Sequence, residues 1–302
     1  MRKPHLARRA ALLREVRSFF DAGGFLEVDT PVLVPSPGLE LHLDAFALEG
    51  GTRFLSTSPE YQMKRLLADG HERIYQITRA FRRNEKGARH NPEFAILEWY
   101  RAHAGVADVM HDTEQLVEAI TRGVVALHGR TIDTKAPFAH MTLLDAYRDL
   151  AGISKDETLA IAANDEDRFF RVLVDVVEPK LAELDHAVFL TDYPASQASL
   201  ARKKPGAPEV AERFELYVAG VELCNGFGEL TDPVEQRARM EHDRDERVRR
   251  GLPAYPIDEK FLAALARVPP SGGNALGLDR LIALACGTTT IGDVMAFTDD
   301  EL

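Results

Sequence analysis

Two runs of alternating, β-prone residues, Ile74–Phe81 and Pro92–Arg101, flank a short polar loop rich in Arg, Asn, Gly and His. This layout predicts a long β-hairpin. The loop region carries Arg79, Arg82, Arg83 and Arg89, whose planar forks can grip phosphate oxygens bidentately. Phe94, on the returning strand, offers a flat face for a purine ring. Taken alone, a basic hairpin loop is more often a solvated turn.

A second segment adds to it. Ser271–Leu284 reads SGGNALGLDRLIAL, a glycine-rich strand running into a helix whose first turn carries Asp279 and Arg280. Gly272, Gly273 and Gly277 permit close backbone approach to a ligand, while Leu278, Leu281, Ile282 and Leu284 give helical apolar spacing. Arg280 is thereby expected on a rigid element. The alternative is a turn capping an ordinary helix, with Arg280 paired to an acid.

Together these pieces resemble the signature of class II aminoacyl-tRNA synthetases, in their lysyl branch. The Arg-loop-HNPEF hairpin is similar to that class's second motif and ALGLDRL to its third. The first motif is matched by an amphipathic helix over about His5–Ala22 (Leu6, Leu13, Val16 and Phe20 on one face), a Gly23-Gly24 stop, and FLEVDTP ending in Pro31. The lysyl character comes from TSPEYQMKRLL (Thr57–Leu67), LEWY (Leu97–Tyr100) and ERFELYVAGVELCNGFGELTDPVEQ (Glu212–Gln236). The likeness covers essentially the whole chain. It implies an α/β (α+β) fold: a single class II catalytic domain over residues 1–302, with an antiparallel sheet flanked by helices, that dimerises through the first motif. A helix-forming stretch over 141–184 reads as an insertion on the sheet.

Two departures narrow the resemblance. The first-motif helix begins within the first ten residues, where lysyl-tRNA synthetases carry an anticodon-binding β-barrel ahead of it, and Ala275 stands where they have glycine. Both point to the stand-alone paralogues that ligate a lysine-type amino acid onto a lysine side chain of translation elongation factor P. The expected partners are therefore elongation factor P, lysine or (R)-β-lysine, and a second copy of the chain, without stable tRNA binding. An added methyl at a pocket floor discriminates between isomers by only about 1–3 kcal/mol.

The same resemblance assigns roles. Arg82 would bind the α-phosphate of ATP, Arg280 the γ-phosphate and one face of the adenine, and Phe94 the other face. Arg83, Asn91, Leu223 and Gly277 join the nucleotide shell, and His90 reaches the terminal phosphates. The class usually places Glu two residues after the arginine; here Asn84 stands there with Glu85 next, so either could read the adenine. Glu215, Glu222 and Glu229 recur at intervals of seven. Glu215 and Glu222 would hold Mg²⁺ against the phosphates, and Glu229 would receive the substrate's ε-ammonium. Ser58, Pro59, Glu60, Glu98 and Tyr100 would line the pocket near the other amine, completed by Asn225, Phe227 and Ala275. A diamino acid needs such acidic partners, because a buried unpaired ammonium is prohibitively costly.

The implied chemistry is adenylation of a carboxylate, with pyrophosphate leaving, then attack by a protein lysine to give an amide and AMP. No base for that amine is identifiable in the sequence. Two other readings use the same residues: a minimal lysyl-tRNA synthetase-like enzyme with another acceptor, and a catalytically silent amino-acid sensor.

Composition sets outer bounds. The 302 residues, 45% hydrophobic, can bury a sizeable α/β core, and no stretch has the length of a membrane span. The N-terminus lacks a signal-peptide pattern, so a cytoplasmic location is expected. Cys224 and Cys286 are too few for a disulfide framework. A formal charge of −11 argues against a broad nucleic-acid surface. A helix is expected over about Val106–Leu127 and a strand over Ala187–Pro194. Ser196–Arg213 is expected to be a solvated connection, or else a mobile flap.

Overall fold

The computed structural model describes residues 3–302. The chain opens with α1 (Leu6–Ala22), whose buried Leu12, Val16 and Phe20 recur every four residues. Gly23 and Gly24 stop it, Gly24 in the left-handed region. Next come β1 (Leu26–Glu27), the two-stranded ribbon β2 (Leu33–Val34) and β3 (Phe54–Leu55), and α2 (Glu60–Ala68). The expected hairpin is β4 (Arg73–Phe81) and β5 (Glu93–Ala102), paired from Arg73↔Arg101 to Phe81↔Glu93.

α3 (Val106–Thr121) is shorter than its sequence expectation. Arg122 and Gly123 take left-handed conformations, and the β-branched run that follows forms β6 (Val124–Leu127), hairpinned to β7 (Arg130–Asp133). β8 (Ala139–Thr142) leads into helices α4 (Leu143–Ala146), α5 (Lys155–Asn164), α6 (Glu166–Val172) and α7 (Glu178–Leu181), with π-turns at Tyr147–Ala151 and Leu173–Val177. These helices share a core of their own against the sheet edge, where Tyr147 stacks on Phe169 at 5.2 Å.

β9 (Val188–Pro194) falls one residue inside its expected bounds. The expected loop at 196–213 is largely strand: β10 (Lys203–Lys204) turns at Gly206 into β11 (Ala207–Val218). The sequence obscures this because Pro205-Gly206 is a hairpin turn and not a linker. β12 (Val221–Gly228), α8 (Pro233–Arg249), α9 (Glu259–Leu265), β13 (Ser271–Gly277) and α10 (Leu278–Ala285) complete the chain's main elements.

Nine strands form one sheet in the order β1-β4-β5-β13-β12-β11-β9-β8, with β10 beside β11. Its interior is antiparallel as expected, but β1 pairs with β4 and β8 with β9 in parallel, so the sheet as a whole is mixed. Side-chain alternation sends Tyr75, Leu97 and Trp99 to one face, under α1, α3 and α10, where Phe20 stacks on Tyr75 at 4.5 Å. It sends Ile74 and Tyr100 to the opposite face, beside α2 and α9, where Tyr61 stacks on Phe261 at 4.4 Å. The registers Glu98↔Ala275, Ala275↔Asn225 and Asn225↔Glu215 form one cross-strand row on that second face. This row is the floor of the site.

Candidate active site

A cavity of about 480 Å³ lies over this row, within the size range of small-molecule sites. At one end are Arg82, Glu85, His90, Asn91, Phe94, Leu223, Gly277 and Arg280. The Arg82 guanidinium lies 5.0 Å from the Phe94 ring centroid and 3.4 Å from Glu85. Asn84 instead turns away and donates to Asp44 at 2.6 Å, so Glu85 is the one of the two that faces the cavity. Arg83 is exposed outside it.

Arg280 ties three elements together. It donates to the Glu222 carbonyl (2.9 Å) and the Arg89 carbonyl (3.2 Å), and lies 2.6 Å from His90 Nε2. Burial and the neighbouring Arg280 charge hold His90 below its ordinary pKa, so its Nε2 accepts from the guanidinium. A Cβ on Gly277 would stand 3.3 Å from Arg280 Cδ; the glycine leaves that side chain its path. Asn91 lines the cavity, but its amide is committed to Glu93 O and the Asp299 N–H.

Two carboxylates stand at the centre. Glu215 accepts from Arg213 (2.7 Å) and Tyr217 (2.8 Å). Glu222 lies 3.7 Å from Arg280, and burial in the cleft together with Glu215 pushes its pKa up to about 7. Glu178, from α7, joins this acidic group, its carboxyl raised by burial and by Glu215. Carboxylates gathered in this way, only partly offset by Arg213 and Arg280, fit a divalent cation shared with substrate phosphates. Among the described residues no cluster of three metal-ligating side chains exists, so the phosphates would have to complete the coordination.

The other end of the cavity is acidic. Pro59 caps α2 and sets Glu60 in its first turn. Ser58 Oγ accepts from the Glu60 N–H (3.1 Å) and donates to Glu98 (2.6 Å), while Tyr100 donates to the other Glu98 oxygen (3.0 Å). Glu98 is fully buried, and burial, then Glu60, raise its pKa to about 8. Asn225, Phe227 and Ala275 form the floor, and Asn225 Oδ1 is buried without a partner.

Glu229 departs from its expected placement. It does not line the cavity: Lys64, fully buried, bridges Glu229 and Glu60 at 2.5 Å each. The ammonium that faces Glu229 is the protein's own. Glu98 and Tyr100 likewise lie just behind the wall, Glu98 hydrogen-bonded to Ser58. Sequence reasoning missed Arg213, Glu178, Glu40 and Asp243, all lining the cavity. Only Arg213 had a usable signal, lying two residues before Glu215 on one strand face.

The sheet, the arginine-bearing hairpin and the glycine-rich strand feeding α10 define a class II synthetase catalytic fold. The chain belongs to that family: residues 2–301 match the model for tRNA synthetases class II (D, K and N). More particularly, it is similar to proteins named elongation factor P--(R)-beta-lysine ligase. The one from Klebsiella pneumoniae (strain 342) is 40% identical over 315 residues, covering 99% of this chain and 96% of the relative. The one from Edwardsiella ictaluri (strain 93-146) is 42% identical over 316 residues, covering 98% and 95%. That from Salmonella gallinarum (strain 287/91 / NCTC 13346) is 38% identical over 321 residues, covering 99% and 96%.

Proposed function

We propose that the protein is an ATP-dependent ligase that adenylates a lysine-type amino acid, (R)-β-lysine, and transfers it to a lysine side chain of elongation factor P. The observation that carries this is the amine end of the cleft. Glu60, with Glu98 behind the Ser58 hydroxyl, offers carboxylate to an ammonium beside a floor narrowed by the Ala275 methyl, in a chain matching such ligases along nearly all its length. Arg82 aligns the substrate carboxylate and the α-phosphate, Phe94 and Arg280 hold the adenine, and Glu85 reads its edge. Glu215 and Glu222 would hold Mg²⁺, which supplies charge neutralisation on the phosphates. Catalysis is then alignment and electrostatics, with no covalent enzyme intermediate.

The 141–184 helices serve as an insertion on a single catalytic domain. Exposed Leu26, Val32 and Leu33 beside α1 support a homodimer through that face. No helix among the described residues is long and apolar enough to cross a membrane, in keeping with work in the cytoplasm on a translation factor.

The test is the intact mass of purified elongation factor P after incubation with the protein, ATP, Mg²⁺ and either α-lysine or (R)-β-lysine, with total tRNA charging in parallel. One added lysyl unit, greatest with the β isomer, is expected. Charged tRNA with an unmodified factor would make the protein a minimal lysyl-tRNA synthetase.

A further inference from the structure

The transfer step needs a base. An acceptor lysine reaches the cleft as an ammonium, and only its neutral amine can attack the adenylate. The carboxylates of the cavity are largely committed: Glu60 to Lys64, Glu98 to Ser58 and Tyr100, Glu215 to Arg213 and Tyr217, and Glu166 to Arg250 at 2.7 Å. Glu40 is not. It lines the cavity, has no cationic partner within 4.0 Å among the described residues, and its Oε2 is shut off from solvent without a hydrogen-bond partner. Such a lone buried acceptor needs an explanation.

Its position is also engineered by its surroundings. Fully buried Arg247 on α8 clamps the loop through the carbonyls of Glu40 (2.8 Å), Leu41 (3.3 Å) and Leu43 (3.0 Å) and through Asp44 (2.8 Å). Gly38, at φ +111°, clears the space: a Cβ there would fall 2.5 Å from Glu40 Oε2. The adjoining lobe, walled by His42, Glu166, Phe170 and Asp243 from the loop, α6 and α8, is acidic and continuous with the cavity. It suits the entry of a cationic side chain.

We propose that Glu40 receives the acceptor lysine's ammonium in this lobe and takes its proton before the amine attacks the adenylate. The inference rests on the ligase reading. One N–H proton passes to the Glu40 carboxylate, and the nitrogen lone pair forms the C–N bond. The acyl C–O bond to phosphate then breaks with its electron pair leaving on AMP, and the second N–H proton goes to the departing phosphate. Four groups face Glu40: Glu60 and Tyr61 from α2, Asp243 from α8, and Arg82 beyond β4. Burial, then Glu60, raises the carboxyl to about 7, where a base is most effective near neutral pH.

The experiment compares E40Q and E40D with wild type in two assays: amide transfer to elongation factor P, and capture of the adenylate by hydroxylamine, which is already neutral at pH 7 and needs no base. In E40Q, transfer is expected to fall about 10²-fold or more while hydroxamate formation stays within roughly threefold of wild type. E40D should restore part of the transfer. Wild-type transfer should level off above about pH 7, whereas E40Q transfer keeps climbing with the amine's own ionisation. An equal loss in both assays, or unchanged transfer in E40Q, overturns the role. A wild-type protein that forms the hydroxamate yet leaves elongation factor P untouched overturns the acceptor reading as well.

Discussion

Replacing Lys64 by Met tests whether the acidic pocket is built around a resident ammonium. Burial opposes the Lys64 charge, but Glu229 and Glu60, each 2.5 Å away, outweigh it and hold its pKa above the ordinary ammonium value. Met approximates the volume and removes the charge. Deleting one partner of a buried ion pair costs about 3–5 kcal/mol. An unfolding entropy of about 2.1 cal/mol/K per residue makes roughly 0.6 kcal/mol/K for this chain, so Tm should drop by about 5–8 °C.

The loss must also depend on pH. Glu229 stands at about 7 even with Lys64 present, burial being the main cause, and without Lys64 it rises further. A carboxyl whose folded pKa exceeds its unfolded value contributes stability that is present below the unfolded pKa and lost as pH rises through the folded one. The deficit of K64M is therefore small near pH 5.5, where a protonated Glu229 needs no cation, and complete near pH 8.5. Scanning calorimetry at both pH values checks this. An equal Tm loss at both, or a loss under about 2 °C at the higher, would refute the reasoning.

Other consequences follow from the same geometry. Glu98, raised to about 8, is largely protonated in the empty site at pH 7, so the KM for the diamino acid in ATP–pyrophosphate exchange should fall about twentyfold from pH 6.5 to 8.5, and E98Q should flatten the profile. R280A should lower exchange by about 10²–10³-fold with R280K restoring little, since one ammonium cannot serve the Glu222 and Arg89 carbonyls and His90 together; an active R280K would count against this. G226A would place a Cβ 2.3 Å from the fully buried Phe214 ring, and the overpacking, about 1–3 kcal/mol, should lower Tm by about 2–5 °C; an unchanged Tm would show that the ring can yield.

What the sequence disclosed and what it hid divide along a physical line. The hairpin, the glycine-rich strand and α10 were legible because period-2 and period-3.6 patterns are local. The cross-strand row Glu98, Ala275, Asn225, Glu215 was half-legible: each residue stood in a motif, but its neighbours depend on register across four strands. Asn84 and Glu85 could not be separated by spacing, because what separates them is a hydrogen bond to Asp44, far away in sequence. The end of α3 at Thr121 was blurred by apolar residues that fit a helix and a strand equally, until Arg122 and Gly123 turn left-handed. Glu40 was invisible, since nothing within its own loop marks it and Arg247 reaches it from α8.

The titration states of these acids bear on how the site can select a dicationic amino acid at all. Carboxylates packed around an empty pocket and all left ionised would repel one another and weaken the fold. Instead Glu98, behind the amine end, is pushed up to about 8, and Lys64 compensates Glu60 beside it. The empty site can thus hold protons where the occupied site holds ammonium groups. An entering diamino acid exchanges its charges for those protons, at a smaller electrostatic penalty than filling a pocket of bare carboxylates would imply. An amino acid of similar shape with a neutral side chain displaces no proton and gains no ion pair. Selectivity then scales with pH: discrimination against the neutral analogue should widen from pH 6.5 to 8.5 as binding of the cation needs to expel fewer protons. Competition between lysine isomers and norleucine in ATP–pyrophosphate exchange across that range measures it, and a constant ratio would mean that shape alone does the selecting.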